Sequence, residues 1–282
     1  MRKNEFNMKK NRRIDAGLAV WGLLLMLLAS TVYPGDAFAT QDPSAPGGLS
    51  GVAQEGNAPE DAVPENPEDA WKEGFYPVPA TPPVDLSYFS DALFIGDSRV
   101  VGLMLYSGLT ETAFYAEKGL NVNTLLSNRL VLLTGGNKIT IPEALRKQSF
   151  GKIYIKIGLN ELGWRNISLF ADAYGAAIDR IRELQPDAVI YVQSILPVSR
   201  KKSEDSSIFT NKRIMEFNEA IKKMTWEKDV HYLDVYGGMI DDQGNMPEAA
   251  GHDGVHLNKE YCLKWVEYLI RHTVRNYEEI RL

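Results

Sequence analysis

Four short stretches of this 282-residue chain hold side chains that together suit acyl-transfer chemistry. The first is "GDSR" at 96–99, where an acid and a hydroxyl end an apolar run. The second is "AEKGLNVN" at 116–123, which contains Gly119. The third is "GLNELGW" at 158–164, with Asn160, Glu161 and Trp164. The fourth is "GHDGVHL" at 251–257, with His252, Asp253 and His256. Cleaving an ester needs a nucleophile deprotonated on demand, a base to take its proton, and donors aimed at the developing oxyanion. Ser98 opens a predicted helix, so its oxygen lies near the positive end of the helix dipole. His256, one of four histidines, follows Asp253 by three residues in a Gly-containing loop. An acid so placed can accept from the imidazole and fix its tautomer. The Ser98 backbone N–H, the Asn160 amide and the Gly119 N–H are candidate oxyanion donors, each contributing about 3 kcal/mol to the transition state.

Each of these residues also has a plainer use. Ser98 can be a helix N-cap, Asn160 a turn residue, and Asp253-Gly254 part of a β-turn. Trp164 suits the core as well as a platform for a sugar ring. His252 can shape a pocket or replace His256 as base. His252 and His256 are spaced like a helical zinc pair, but Gly254 opposes a helix and no third ligand is evident, so no metal is expected. "GDSRVVG" lacks the G-K-[ST] of a phosphate loop, so a nucleotide is not expected either. Joint placement is what favours catalysis, and placement depends on the elements.

From about residue 85 a β/α rhythm sets in. Predicted strands are 92–96, 113–117, 152–158, 188–197 and 230–235, with a small hairpin over 129–141. Predicted helices are 98–106, a stretch within 121–130, 142–148, 168–184, 211–228 and 258–274, the last N-capped by Asn258. Alternation of this kind argues a parallel sheet covered on both faces. In such sheets, sites form at the carboxyl ends of strands, which is where the polar clusters fall. Lys156 breaks the apolar pattern of its strand, either reaching an edge or pairing with an acid. Cys262, the single cysteine, allows no internal disulfide and reads as a packed, inert thiol.

The N-terminal region differs in kind. Residues 1–39 carry six basic and three acidic residues, a 17-residue apolar stretch and an "AFA" pattern. They read as a signal peptide, or as an uncleaved anchor, with the rest of the chain outside the cytoplasmic membrane. Residues 40–84, rich in Pro, Gly, Ala and acids, read as a disordered linker, with the aromatic "WKEGFYPVP" able to dock on the domain that follows. Residues 85–282 form that domain. Their charge is nearly balanced, which gives no electrostatic footprint for nucleic acid.

The motifs and their order make residues 85–282 resemble the SGNH/GDSL hydrolase family. Its "GDS" block is similar to Gly96-Asp97-Ser98, its glycine block falls on Gly119, its "G-x-N-D" block on Gly158-Leu159-Asn160-Glu161, and its "D-x-x-H" block on Asp253-Gly254-Val255-His256. Arg99 stands where the family name has Leu, and Glu161 replaces the usual Asp. The resemblance implies a flavodoxin-like three-layer α/β/α sandwich with a five-stranded parallel sheet. It implies a serine esterase or acylhydrolase with Ser98, Asp253 and His256 as catalytic residues and Ser98, Gly119 and Asn160 as the oxyanion hole, needing no metal or cofactor. Asp97, Arg99, Glu161, Trp164 and His252 then line or support the site. The expected substrate is an acylated glycan at the cell surface, carrying O-acetyl or similar groups, or a small ester, with no nucleic acid and no membrane contact beyond the N-terminal anchor. An acyltransferase using the same residues, or a non-catalytic surface-binding module, are the alternatives.

Overall fold

The computed structural model describes residues 71–274. The expected signal peptide, and the linker up to residue 70, lie outside the described residues. Among the described residues no helix is long and apolar enough to cross a membrane.

Five parallel strands form the central sheet: β1 (Ala92–Gly96), β2 (Ala113–Ala116), β5 (Lys152–Lys156), β6 (Val189–Gln193) and β7 (His231–Leu233), in the order β2-β1-β5-β6-β7. β3 (Arg129–Leu132) and β4 (Lys138–Thr140) make the separate antiparallel hairpin. Helices α1 (Ser98–Tyr106) and α6 (Lys259–Arg271) cover one face through Val100, Leu103, Trp265 and Leu269. Helices α3 (Ile167–Leu184) and α5 (Asn211–Glu227) cover the other through Phe170, Ile178, Phe217 and Ile221, with the short α2 (Ile141–Leu145) beside them. The result is the expected three-layer sandwich. Because both faces are buried, the strands are apolar nearly throughout.

Register builds an aromatic ladder on the α1/α6 face. Phe114, Phe94, Tyr154 and Tyr191 are successive cross-strand partners on β2, β1, β5 and β6. The Phe94–Tyr154 and Tyr154–Tyr191 rings stack with centroids 4.5 Å apart in each pair. Such pairs contribute about 0.5–1.5 kcal/mol each beyond their burial. This ladder fixes the relative heights of β1 and β5, and so of the loops that leave their carboxyl ends.

Three features differ from the sequence expectation. The stretch 121–130 is a run of turns over 122–127 that leads into β3 at Arg129, not a helix. Asn121 Oδ1 accepts from the Asn123 and Thr124 N–H groups, as a helix cap would, and Glu161 accepts from Val122 N–H at 2.7 Å, but the chain enters β3 at Arg129 before a helix can continue. A short helix, α4 (Arg200–Asp205), follows β6 and is N-capped by Ser199, a signal too brief to stand out in the sequence. The packed unit also begins before residue 85. Trp71 and Val78 are buried, Phe75 packs edge-on against Tyr232 at 5.6 Å, and Val78 N–H donates to Tyr232 O of β7 at 2.9 Å. Residues 71–78 thus pack against β7, and Thr81 and Val84 donate to Arg271 O and Ile270 O of α6.

Candidate active site

β1 ends where the backbone must pass very close to its neighbours. A Cβ on Gly96 would lie 2.4 Å from the Lys156 carbonyl oxygen and 2.3 Å from Val100 Cγ2, so only glycine fits. Asp97 follows with extended backbone and is the N-cap of α1, its Oδ1 accepting from Arg99 N–H at 2.9 Å. Ser98 is therefore the first residue of the helix rather than its cap. Its side chain is half-buried, and its N–H, like those of any first turn, has no acceptor inside the helix.

The loop before α6 brings the acid and base to this point. Ser98 Oγ lies 2.9 Å from His256 Nε2, across 158 residues of sequence. His256 Nδ1 lies 2.6 Å from Asp253 Oδ2. Asp253 Oδ1 accepts from the backbone N–H groups of Val255 and His256 at 2.9 and 2.8 Å. An ionised carboxylate can only accept, so Nδ1 carries the imidazole proton and Nε2 is left to accept from the serine hydroxyl. Burial is the largest single influence on the Asp253 carboxyl and pushes it upward, but the hydrogen bonds from His256 and Val255 together outweigh it and hold the group down at about 2. It is a carboxylate at any physiological pH.

Because β1 lies between β2 and β5, Ser98 emerges between the loops that carry Gly119 and Asn160. Those loops are tied together. Asn160 Nδ2 donates to Leu120 O at 2.9 Å, which orients the amide and leaves its second N–H available. Gly119 adopts φ +82°, which favours glycine. Asn160 is exposed, and so is His252; Trp164 is half-buried and packs on the α3/α5-side core.

Three further charged residues lie beneath the site. Lys156 does not reach the sheet edge: it is fully buried and donates to both Asp97 carboxylate oxygens, at 3.1 and 3.0 Å. Burial pulls its ammonium down to about 8 against the opposing pull of Asp97. Glu161 is also fully buried, and burial pushes its carboxyl up to about 7. Arg99, neither in a pocket nor in solvent, is buried with its guanidinium on the carbonyls of Leu196 and Pro197. The sequence flagged Lys156 and Arg99 without placing them, and it gave no sign that Asp97 is the partner of Lys156. Among the described residues no cluster of His, Cys, Asp and Glu suits a metal ion. Cys262 is buried, and burial pushes its thiol up to about 12. A cavity of about 340 Å³ opens at the other end of β1 and β2, lined in part by Leu109, Phe114 and Phe150; it is remote from Ser98.

Comparison with known proteins agrees with this architecture. No curated protein matches the chain. Among solved structures, one from Streptococcus pneumonia described in terms of platelet activating factor superposes with a TM-score of 0.52 at 23% identity, covering 65% of this chain and 88% of that one. A GDSL-like lipase from Bacteroides thetaiotaomicron VPI-5482 gives a TM-score of 0.47 at 12% identity, covering 72% and 95%. At such identities the first likeness concerns the fold, and the second adds no argument. The sequence model of the GDSL-like Lipase/Acylhydrolase family matches residues 94–260, more than half of the chain and all four motif clusters. The chain belongs to the GDSL-like lipase/acylhydrolase family and is an enzyme that hydrolyses ester bonds.

Proposed function

We propose that Ser98, His256 and Asp253 form the catalytic triad of a serine esterase working outside the cytoplasmic membrane. The observation that carries this reading is the continuous hydrogen-bonded run from Ser98 Oγ to His256 to Asp253. His256 Nε2 takes the serine proton as Oγ attacks the acyl carbonyl. Asp253 holds the tautomer and stabilises the imidazolium that forms. The oxyanion is met by the Ser98 N–H, the Asn160 amide and the Gly119 N–H. His256 then gives its proton to the leaving alcohol, and a water activated by the same nitrogen releases the acid and restores Ser98.

The substrate we favour is an O-acetyl or similar small acyl group on a surface glycan. The His256 and Asp253 side chains are 46% and 54% exposed, so the site is open, as an ester displayed on a bulky polymer needs. The signal-like N-terminus supports work at the cell surface.

The test is turnover of a chromogenic acetyl ester by the full-length protein and by Ser98→Ala, with a serine-directed phosphonate as label. Wild type should turn over and label at Ser98, and Ser98→Ala should lose at least about 10³-fold in kcat. No wild-type turnover together with no labelling of Ser98 would sink the triad. A panel of acetylated glycans, assayed for released acetate, tests the substrate. Fractionation of the producing cells tests the location, a cytoplasmic pool opposing it.

A further inference from the structure

Arg99 follows Ser98 directly, is buried to 2% exposure, and has no part in the acyl chemistry above. Its Nη1 donates to Leu196 O at 2.6 Å and its Nη2 to Pro197 O at 2.9 Å. Its Nε has no hydrogen-bond partner among the described residues. Both acceptors lie in the segment between β6 and α4, and that segment is a shelf for the acid–base loop. Ser199 N–H donates to Gly254 O at 2.9 Å, in the middle of the Asp253-x-x-His256 turn. Gly254 sits so tightly against the shelf, at φ +68°, that a Cβ there would lie 2.5 Å from Ser199 Oγ. From the other side Asn211 grips the same shelf, its side chain accepting from Val198 N–H at 2.8 Å and donating to Val198 O at 2.9 Å.

The nucleophile and the base thus belong to segments far apart in the sequence, 158 residues from Ser98 to His256. Ser98 is fixed to α1, and His256 is fixed to the loop resting on residues 196–199. We infer that Arg99 is a positioning residue: its fork to the Leu196 and Pro197 carbonyls holds the shelf under Asp253 and His256 at a set distance from the helix that begins with Ser98. Burial opposes the charge and lowers the guanidinium to about 10, while Asp97 and Asp253 draw it back electrostatically. The fork has a geometric reason. A planar guanidinium can aim two donors at neighbouring carbonyls, whereas a lysine ammonium is a point charge without that fixed geometry. A misplacement of about 1 Å between reacting groups costs about 10²-fold in rate.

This inference rests on the triad proposed above, and its test separates the two. Full-length wild type, Arg99→Lys and Arg99→Ala are compared for kcat, KM, the rate of phosphonate labelling at Ser98, Tm, and the downfield proton resonance of His256 Nδ1. Both variants should lose about 10²-fold in kcat with KM little changed, label more slowly in proportion, and show a shifted or broadened Nδ1 resonance. Added guanidinium should restore part of the Arg99→Ala rate. Should Arg99→Ala not fold, Arg99→Lys, which keeps the charge and most of the volume, decides. A folded variant with lowered Tm but wild-type kcat, labelling rate and Nδ1 resonance reduces Arg99 to a core residue and overturns the inference alone. A wild type that neither turns over nor labels removes the triad, and the inference with it.

Discussion

At the scale of single residues, the site separates groups that touch the reaction from groups that hold them. Asn160 donates one amide hydrogen to Leu120 O, and in the mechanism proposed above the other meets the oxyanion. Asn160→Ala should lower kcat by about 10²–10³ with KM little changed, read by steady-state kinetics on a soluble ester. A purely structural Asn160 would instead lower stability and leave kcat alone. Glu161 shows the opposite case, a buried acid away from the chemistry. Burial raises its carboxyl from 4.5 to about 7. Between those pH values the folded protein holds a proton that the unfolded chain has released, so this residue makes stability fall as pH rises through that window. Glu161→Gln can still accept from Val122 N–H, and its stability should vary less between about pH 4.5 and 7. Urea midpoints across that range check it, and parallel profiles for the two proteins would count against the assignment.

At the scale of elements, the start of α1 is where most constraints meet. Asp97 caps the helix and also pairs with Lys156 of β5, so one carboxylate fixes both the helix and the neighbouring strand. Removing one member of a buried pair leaves the other charge uncompensated, which costs about 3–5 kcal/mol. Lys156→Met should therefore destabilise strongly, and Asp97→Asn combined with Lys156→Met should recover much of that loss, since asparagine still caps the helix. A double-mutant cycle by denaturant unfolding measures the coupling; strict additivity would mean that the two groups act independently. The neighbouring loop shows what local pattern misses. Residues 121–130 look helical in isolation, but pairing of Arg129–Leu132 with β4 draws the end of the stretch into the hairpin, and Glu161, 39 residues away, holds Val122 N–H.

At the scale of the whole molecule, the domain extends past the point where the composition changes. Residues 71–84 seat Phe75 and Val78 against β7 and bury Trp71 beside Phe75. Burial of such a side chain contributes about 1.5–3 kcal/mol. A chain beginning at residue 85 should thus show a lower Tm than one beginning at Trp71, and, with β7 uncovered, a greater tendency to associate in light scattering. Equal Tm values would mean that the segment is only an ornament on the fold. Much of this protein was legible in its sequence. Strand and helix periodicity is local, so the β/α alternation, the five core strands and the helices over 98–106, 168–184, 211–228 and 258–274 could be read directly. Ser98 and Asn160 follow β1 and β5 closely, at ends that a parallel sheet gathers on one side, whereas Asp253 and His256 lie well past β7 in the loop before α6, and only their motif placed them. The fate of the charges depended on packing. Whether a lysine inside a strand finds an acid, and where an arginine beside the nucleophile sends its donors, depends on groups from β5 and from the segment after β6 that no local pattern brings near. Burial supplies the physical reason: a charge in the interior persists only beside specific partners, and those partners are chosen by packing in three dimensions rather than by order along the chain.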